Sequence, residues 1–327
     1  MTLGNKSALI ALRLTPVLVF VLIVAMFGTM APRFLSLQNG ILIVSNATHI
    51  AIIAMGMTFV LLIAGLDLSV GAAMYLSAVL IATFVPTANL PMAFAVAAAI
   101  GAVYGLVNGA LIEYFRAPPF IVTLGTLFVG RGIGLWLSDT RTVFFPEAVL
   151  QFGRDRMFGI PASVLVLLVV FAAVSFILRY TAFGRGLYAI GSNRERALRA
   201  GVPVGRYVVL AYMACGMLAT IGGVVSGSQV AAAGAGYGEQ KEFWAIAAAV
   251  LGGTSLFGGR GRAFGAIFGA IMVETASNGL VMINADPYAY PIVVSAIILL
   301  AVAVDALKTR ITQKLERRLI RPNDALA

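Results

Sequence analysis

An all-α, polytopic membrane fold is what this sequence predicts, on three observations. Hydrophobic residues make up 61% of the 327 positions and charged residues 11%, with a mean hydropathy of +0.98. A soluble domain of that size could not cover its surface with so few charges. Ten apolar segments approach or exceed the roughly 20 residues a helix needs to cross a bilayer. Pro86, Pro91, Pro118, Pro119, Pro146, Pro161 and Pro287 fall at or between the ends of those segments, where helix breakers belong.

In chain order, Leu14–Met30 is expected to be a retained span, because no small-residue cleavage pattern follows it and further spans do. Ile41–Ala64 and Val70–Val85 flank a short polar interruption, and Pro86 ends the second of them. Pro91–Ile112 and Phe120–Leu137 are separated by the Pro118–Pro119 pair. Ile160–Leu178 and Tyr207–Gln229 bracket the longest basic stretch. Phe243–Phe257, Phe264–Ile283 and Tyr288–Val304 complete the set. The chain therefore reads as one transmembrane domain over residues 1–327, with spans over roughly 14–304.

Basic residues set the orientation. With the N-terminus inside, seventeen Lys and Arg fall in inner loops and tails and five in outer loops, so both termini are expected in the cytoplasm. The net charge of +10 is thereby a topology signal and no indication of nucleic-acid binding. The single Cys215 excludes an internal disulfide, and with one histidine, His49, neither a Cys/His metal cluster nor a Cys/His nucleophile pair can be assembled. An enzyme is not expected.

The inner stretch "FGRGLYAIGSNRERALRAGVPV" (183–204) carries helix punctuation of its own. Ser192 with Glu195 reads as a capping box, Gly201 as a left-handed stop and Pro203 as a bar to resumption. Gly184, Gly186 and Gly191 are expected to bend the chain on the way in. Isolated helices this short are marginal in water, so a docked helix is expected, with Ser192, Asn193, Glu195, Ala197 and Gly201 at its contact with a cytoplasmic partner. A passive basic loop that fixes topology is the plainer alternative.

Within the apolar runs, polar residues mark a candidate pathway. Asp67 is either an intramembrane functional carboxylate or a cap on the following helix with Ser69. Asn108, Thr123, Thr126 and Asn278, along with Asn46, His49 and Ser277, are candidates to line a polar path or to bind neighbouring helices. The pattern G-x-x-L-x-x-G occurs at Gly65, Leu68, Gly71 and again at Gly253, Leu256, Gly259, a weak hint of paired hinge elements. Arg131 and Glu274 are charged residues within expected spans, able to pair or to snorkel. Small-residue runs such as "GAIFGA" and "AVAAAIGAVYG" suit tight helix packing, within the chain or across a dimer. Residues 305–327 read as a basic amphipathic tail.

The stretches "GLDLSVGA" (65–72), "NGALI" (108–112) running to "APPFIVTLGT" (117–126), "FGRGLYAIGSNRERALRAGV" (183–202) and "AVLGGTSLFGGRGRAFGAIFGA" (249–270) resemble, in order and spacing, the permease subunit of bacterial ribose-type ABC sugar importers. The resemblance covers roughly 15–305. It implies that 183–204 couples to a cytoplasmic ATPase, which binds ATP and Mg, and that this chain holds no cofactor. It further implies a second permease copy, a periplasmic or extracellular sugar-binding protein, and a place in the bacterial inner membrane. Glu195, Ala197 and Gly201 match the family's coupling pattern, whereas Arg196 and Ala200 depart from it. In agreement, no GxxxxGK[S/T] phosphate loop occurs in the chain. The implied substrate is a ribose-like pentose or a hexose. A nucleoside, polyol or sugar-like signal on the same architecture is an alternative, and an ion-coupled carrier using Glu274, His49 or Asp67 a more distant one.

Overall fold

The computed structural model describes residues 3–286 apart from Phe158, with side chains from residue 16, and a few single positions between 288 and 303. Most of the expected tenth span and the whole basic tail lie outside the described residues. Among the described residues the chain is helical nearly throughout: α1 Leu3–Met30, α2 Leu37–Leu62, α3 Val70–Phe84, α4 Leu90–Tyr114, α5 Pro119–Ser138, α6 Glu147–Arg154, α7 Ala162–Tyr180, α8 Ala182–Ser192, α9 Arg194–Arg199, α10 Val204–Val230, α11 Lys241–Leu251 and α12 Ala263–Met282. Helices α2, α4, α5, α7, α10 and α12 are each long and apolar enough to cross a membrane. The all-α, multi-pass reading is thus right.

Helix starts follow the polar punctuation. Ser36 caps α2 by accepting the Asn39 N–H at 3.3 Å, and Asn89 caps α4 by accepting that of Met92 at 3.0 Å. Pro118, Pro161 and Pro203 stand immediately before α5, α7 and α10. Two of the expected spans form helices too short to cross alone. At 1.5 Å per residue the 15-residue α3 rises about 22 Å and the 11-residue α11 about 16 Å, against a hydrocarbon core of about 30 Å. The expected span Phe243–Phe257 therefore stops early, at Leu251, because the chain turns at Gly252 and Gly253, the latter at φ +91°.

Helix α10 runs through the middle of the bundle and packs most closely on α4. Gly101, Gly105 and Gly109, four apart, form one face of α4 and lie directly on the α10 backbone at Gly216, Tyr212 and Val209. Small residues at that spacing let two helix axes approach closely. Gly265 and Gly269 of α12 likewise press on Gly252 and Ala248 of α11. The glycines of both runs are therefore used in packing within the chain, while Ala95, Ala99 and Val103 of the α4 run stand exposed on another face of that helix.

Contacts sort into two ends. At one end the termination of α2, the α8–α9 segment, the start of α10 and the 252–262 turn meet; at the other, the short strand β1 (Val143–Phe144) pairs antiparallel with the short strand β2 (Ala232–Ala233), while Gln229 donates to the Ser45 carbonyl at 2.9 Å. Helices α2 and α10 thus run in opposite directions. Each is followed by a non-helical stretch that turns back into the bundle, 63–69 and 231–240, and then by a short helix, α3 and α11. The same full helix, re-entrant stretch and short helix occur twice with reversed direction, a pattern that in transporters marks the pathway. The short helices converge at their N-termini: Gly71 and Gly238 are so close that a Cβ on either would overlap the other's carbonyl oxygen.

Candidate functional site

The first re-entrant stretch is the best-furnished polar site in the described structure. Ala64, at φ +58°, reverses the chain at the end of α2, and residues 65–69 run extended into the bundle, where Asp67 is 1% exposed. Its Oδ1 accepts the Ser69 backbone N–H at 2.9 Å and the Ser69 hydroxyl at 2.6 Å. Asp67 therefore braces Ser69, the residue before α3, but caps no N–H of α3 itself, so the capping alternative is not what forms; it sits deep in the protein, against Cys215 of α10. Asn108 Nδ2 donates to Ser69 Oγ at 2.8 Å, and its Oδ1 accepts from the Thr126 hydroxyl at 2.7 Å. The Thr123 hydroxyl donates to Pro119 O at 2.9 Å and, at 3.4 Å, toward Leu66 O, which also accepts from Tyr212 at 3.2 Å. The Tyr104 hydroxyl donates to Thr126 O.

Five residues chosen from the sequence, Asp67, Ser69, Asn108, Thr123 and Thr126, thus converge on one hydrogen-bonded chain joining 65–69 to α4 and α5. Buried polar groups need such partners, and a network with both hydroxyl and amide members can exchange them. Gly65 and Gly71 flank it, the first against the Tyr212 hydroxyl and the second against Gly238 and the Glu242 carboxylate. Asn278 is elsewhere: it accepts from Asn39 at 2.9 Å and ties α12 to the start of α2.

Gly253 and Gly259 need correction as partners of Gly65 and Gly71. The first pattern precedes a short helix inside the bundle, whereas the second follows one and forms the turn to α12. The counterpart of 63–69 is 231–240, whose run of Ala and Gly carries no such motif. The second glycine pattern does meet the end of α2 in space, since Gly259 N–H donates to Leu62 O at 2.9 Å.

The 183–204 segment forms two helices in place of one. Gly184, Gly186 and Gly191 do not bend the chain; they lie within α8, where Leu178, Tyr207 and Leu62 leave no room for a side chain. Asn193, rather than Ser192, caps α9: its Oδ1 accepts the Arg196 N–H at 2.8 Å, and Ser192 is the last residue of α8. Glu195 pairs with Arg199 at 2.7 Å instead of reaching back to the cap. The stop is as expected. Gly201 has φ +81°, its N–H donates to Leu198 O at 3.0 Å, and Val202 N–H donates to Ala197 O at 3.1 Å, a Schellman closure. Ala197 faces inward at 4% exposure while Leu198 stands 63% exposed.

Helix α8 reaches the end of α2 and the second glycine pattern. Gly191 lies directly against Leu62 O and Gly259 N, and Gly258 against Gly191 and Ala64. Tyr188 donates to Gly261 O at 2.8 Å; burial raises its hydroxyl above the ordinary tyrosine pKa, opposed in part by Arg262, so it stays a donor at neutral pH.

Arg131 and Glu274 do not pair with each other. Arg131 Nη1 donates to Ala235 O at 2.6 Å and its guanidinium lies 5.5 Å from the Tyr75 ring centroid, both near the second re-entrant stretch. Glu274 accepts from Asn46 and lies in the field of Lys241, whose Nζ is 3.3 Å from His49 Nε2. Sequence reasoning missed Glu113, the acidic residue in the last turn of α4, and Lys241 as an intramolecular contact. A buried-facing charge at a helix end could have drawn attention to the first.

Residues 39–303 match the family model described as branched-chain amino acid transport system / permease component. The D-allose transport system permease protein of Escherichia coli (strain K12) is 35% identical over 293 residues, covering 88% of this chain and 90% of that protein. The ribose import permease protein of Bacillus subtilis (strain 168) is 36% identical over 301 residues, covering 91% and 94%. The galactose/methyl galactoside import permease protein of Haemophilus influenzae is 34% identical over 299 residues, covering 85% and 89%. No solved structure matches.

Proposed function

Because the chain belongs to the family described as the permease component of branched-chain amino acid transport systems, we propose that it is the membrane-spanning subunit of an ATP-driven monosaccharide importer in the bacterial cytoplasmic membrane. Curated relatives covering most of its length are permeases for allose, ribose and galactose. A separate ATPase binds ATP and Mg, a periplasmic or extracellular binding protein delivers the sugar, and a second permease copy completes the pore. The seventeen-to-five distribution of basic residues supports placing the α8–α9 end, and both termini, in the cytoplasm with ten spans in all.

The observation that carries this reading is the seat of α8 against the end of α2, which leads into 65–69, and against the second glycine pattern. A partner that displaces the exposed face of α9 moves α8 with it, and Gly191 has no slack against Leu62 and Gly259. The stretch 65–69 follows, and with it the Asp67–Ser69–Asn108–Thr126 chain. A sugar can take over those hydrogen bonds one hydroxyl at a time, so opening the chain exchanges bonds rather than losing them.

The family's description favours a second reading, import of a branched-chain amino acid. That substrate carries a carboxylate and an ammonium into a low-dielectric path and needs paired charges there. The described network offers hydroxyls, an amide and the single Asp67 carboxylate, with no cation among its hydrogen-bond partners to receive a substrate carboxylate, which suits a sugar better.

The test is reconstitution. An affinity-tagged chain purified from its own membranes is expected to bring down an ATPase, and Glu195→Lys with Leu198→Asp, both on the outer face of α9, is expected to lose it while the permease stays monodisperse. Proteoliposomes of the intact complex with its binding protein are expected to take up labelled ribose, allose or galactose on ATP addition. Uptake of leucine and of none of these sugars would overturn the sugar assignment; an intact complex without any ATPase would overturn the mechanism.

A further inference from the structure

The coupling segment touches the bundle in a second place, and that contact leads to the same polar site by another route. Arg194, the first residue of α9, sets Nη2 between both oxygens of Glu113, at 2.7 and 2.8 Å. Glu113 is largely covered, with 14% of its side chain exposed, while Arg194 is 57% exposed. Glu113 stands at the end of α4, five residues beyond Asn108, a rise of about 7.5 Å along the same helix. Asn108 holds Ser69 with its amide nitrogen and Thr126 with its amide oxygen. The intervening Gly109 sits flat on α10 at Val209, so this part of α4 transmits a push rather than absorbing it by bending.

We infer that Glu113 is a positioning residue for transport: through Arg194 it passes the displacement of α9 along α4 to Asn108, and so to the Ser69–Asp67 bond. The inference rests on the transport reading above and deepens it. Helix α9 then acts on 65–69 from two sides, through α8 on the backbone at Leu62 and through α4 on the side chains at Ser69. A part-exposed ion pair contributes little to folding, so removing it leaves the bundle intact while unlinking the two ends of the path.

Two readouts separate this role from a structural one and from the transport reading itself. The first is sugar uptake per ATP hydrolysed by the complete reconstituted complex. Glu113→Gln and Arg194→Glu are each expected to keep the ATPase bound and hydrolysing, yet to lower uptake per ATP by about 2- to 30-fold, the range of coupling terms between linked sites. The charge-swapped pair Glu113→Arg with Arg194→Glu is expected to recover most of it. The second is the rate at which a small maleimide labels Cys215, the chain's single cysteine, which lies against Asp67. In the purified permease alone, Glu113→Gln is expected to speed labelling by a similar factor. Wild-type labelling together with wild-type uptake per ATP would overturn the inference. Faster labelling in a permease that proves not to transport sugar would retain the link and discard the function it was built on.

Discussion

The two re-entrant stretches occupy matching places in the fold and are secured by different chemistries. Residues 63–69 are held by short, directional bonds among hydroxyls, an amide and one carboxylate, running to α4 and α5. Residues 231–240 and the start of α11 have a strand pairing with 143–144 and a Tyr237 bond to Gly223 O, and add cations: Arg131 on Ala235 O and the Tyr75 ring, and Lys241 beside His49 and in the field of Glu274. Hydrogen bonds weaken steeply with small changes in angle and distance, whereas charge interactions in a poorly hydrated interior fall off slowly. The first stretch is therefore suited to release by a small shift, and it is the one that α8 and α9 reach. The second is suited to staying in place while the first moves.

The contrast can be broken at several points. The largest effect is expected from Lys241→Met, which removes the cation in whose field Glu274 lies without a direct ion pair, and costs up to about 3 kcal/mol, the low end for leaving a buried charge uncompensated. Adding Glu274→Gln is expected to restore much of that, read as the thermal midpoint of the detergent-solubilised permease. No rescue would place the second stretch under hydrogen-bond control, like the first. Next comes Gly238→Ala, which meets the Gly71 backbone and adds a side chain at φ +77°; overpacking and left-handed backbone together predict a loss of about 2 to 3 kcal/mol by the same assay. Gly71→Ala shares the clash without the backbone strain and is expected to cost less.

Asn108→Ala should cost about 2 kcal/mol, because Ser69 and Thr126 both lose a buried partner. Unlike the Lys241 change, it is not expected to recover when a partner is also removed, since in Asn108→Ala with Thr126→Val the Ser69 Oγ, though still bonded to Asp67, lacks the donor that Asn108 supplied. The smallest effect is expected from Thr126→Ala alone, about 1 kcal/mol, as Asn108 Oδ1 loses one bond. A double-mutant cycle on Asn108 and Thr126 would measure how far the network acts as a unit.

Much of the polar site was legible because polar residues are costly inside apolar runs and so stand out one by one. Asp67, Ser69, Asn108, Thr123 and Thr126 could each be picked on that ground. Their meeting could not, since it depends on how α3, α4 and α5 face one another. The second stretch was illegible for the converse reason: its Ala and Gly residues blend with the spans around it, Lys241 counts in the sequence as topology, and Arg131 reads only as able to pair with Glu274 or to snorkel. Glycine was the least readable residue. Gly184, Gly186 and Gly191 look like bends in one dimension and are close contacts in three, because Tyr207, Leu178 and Leu62 arrive from distant parts of the chain. The cap of α9 slipped by one residue for a local reason: Ser192 and Asn193 can both cap, and α8 runs on through Ser192.

Helix α9 is fastened by its inner residues alone, Arg194 to Glu113 and Ala197 to the core, while Glu195, Arg196, Leu198 and Arg199 point away. Fastening and outward identity are thereby written on different faces of six residues. On the proposed coupling role, rewriting the outer face would change which motor the chain answers to and leave the membrane part as it was. Arg196 and Ala200, where this chain departs from the familiar coupling pattern, fall on that outward side. Grafting the outer face of a related permease onto this one should exchange motors between them with four or five substitutions and no loss of fold.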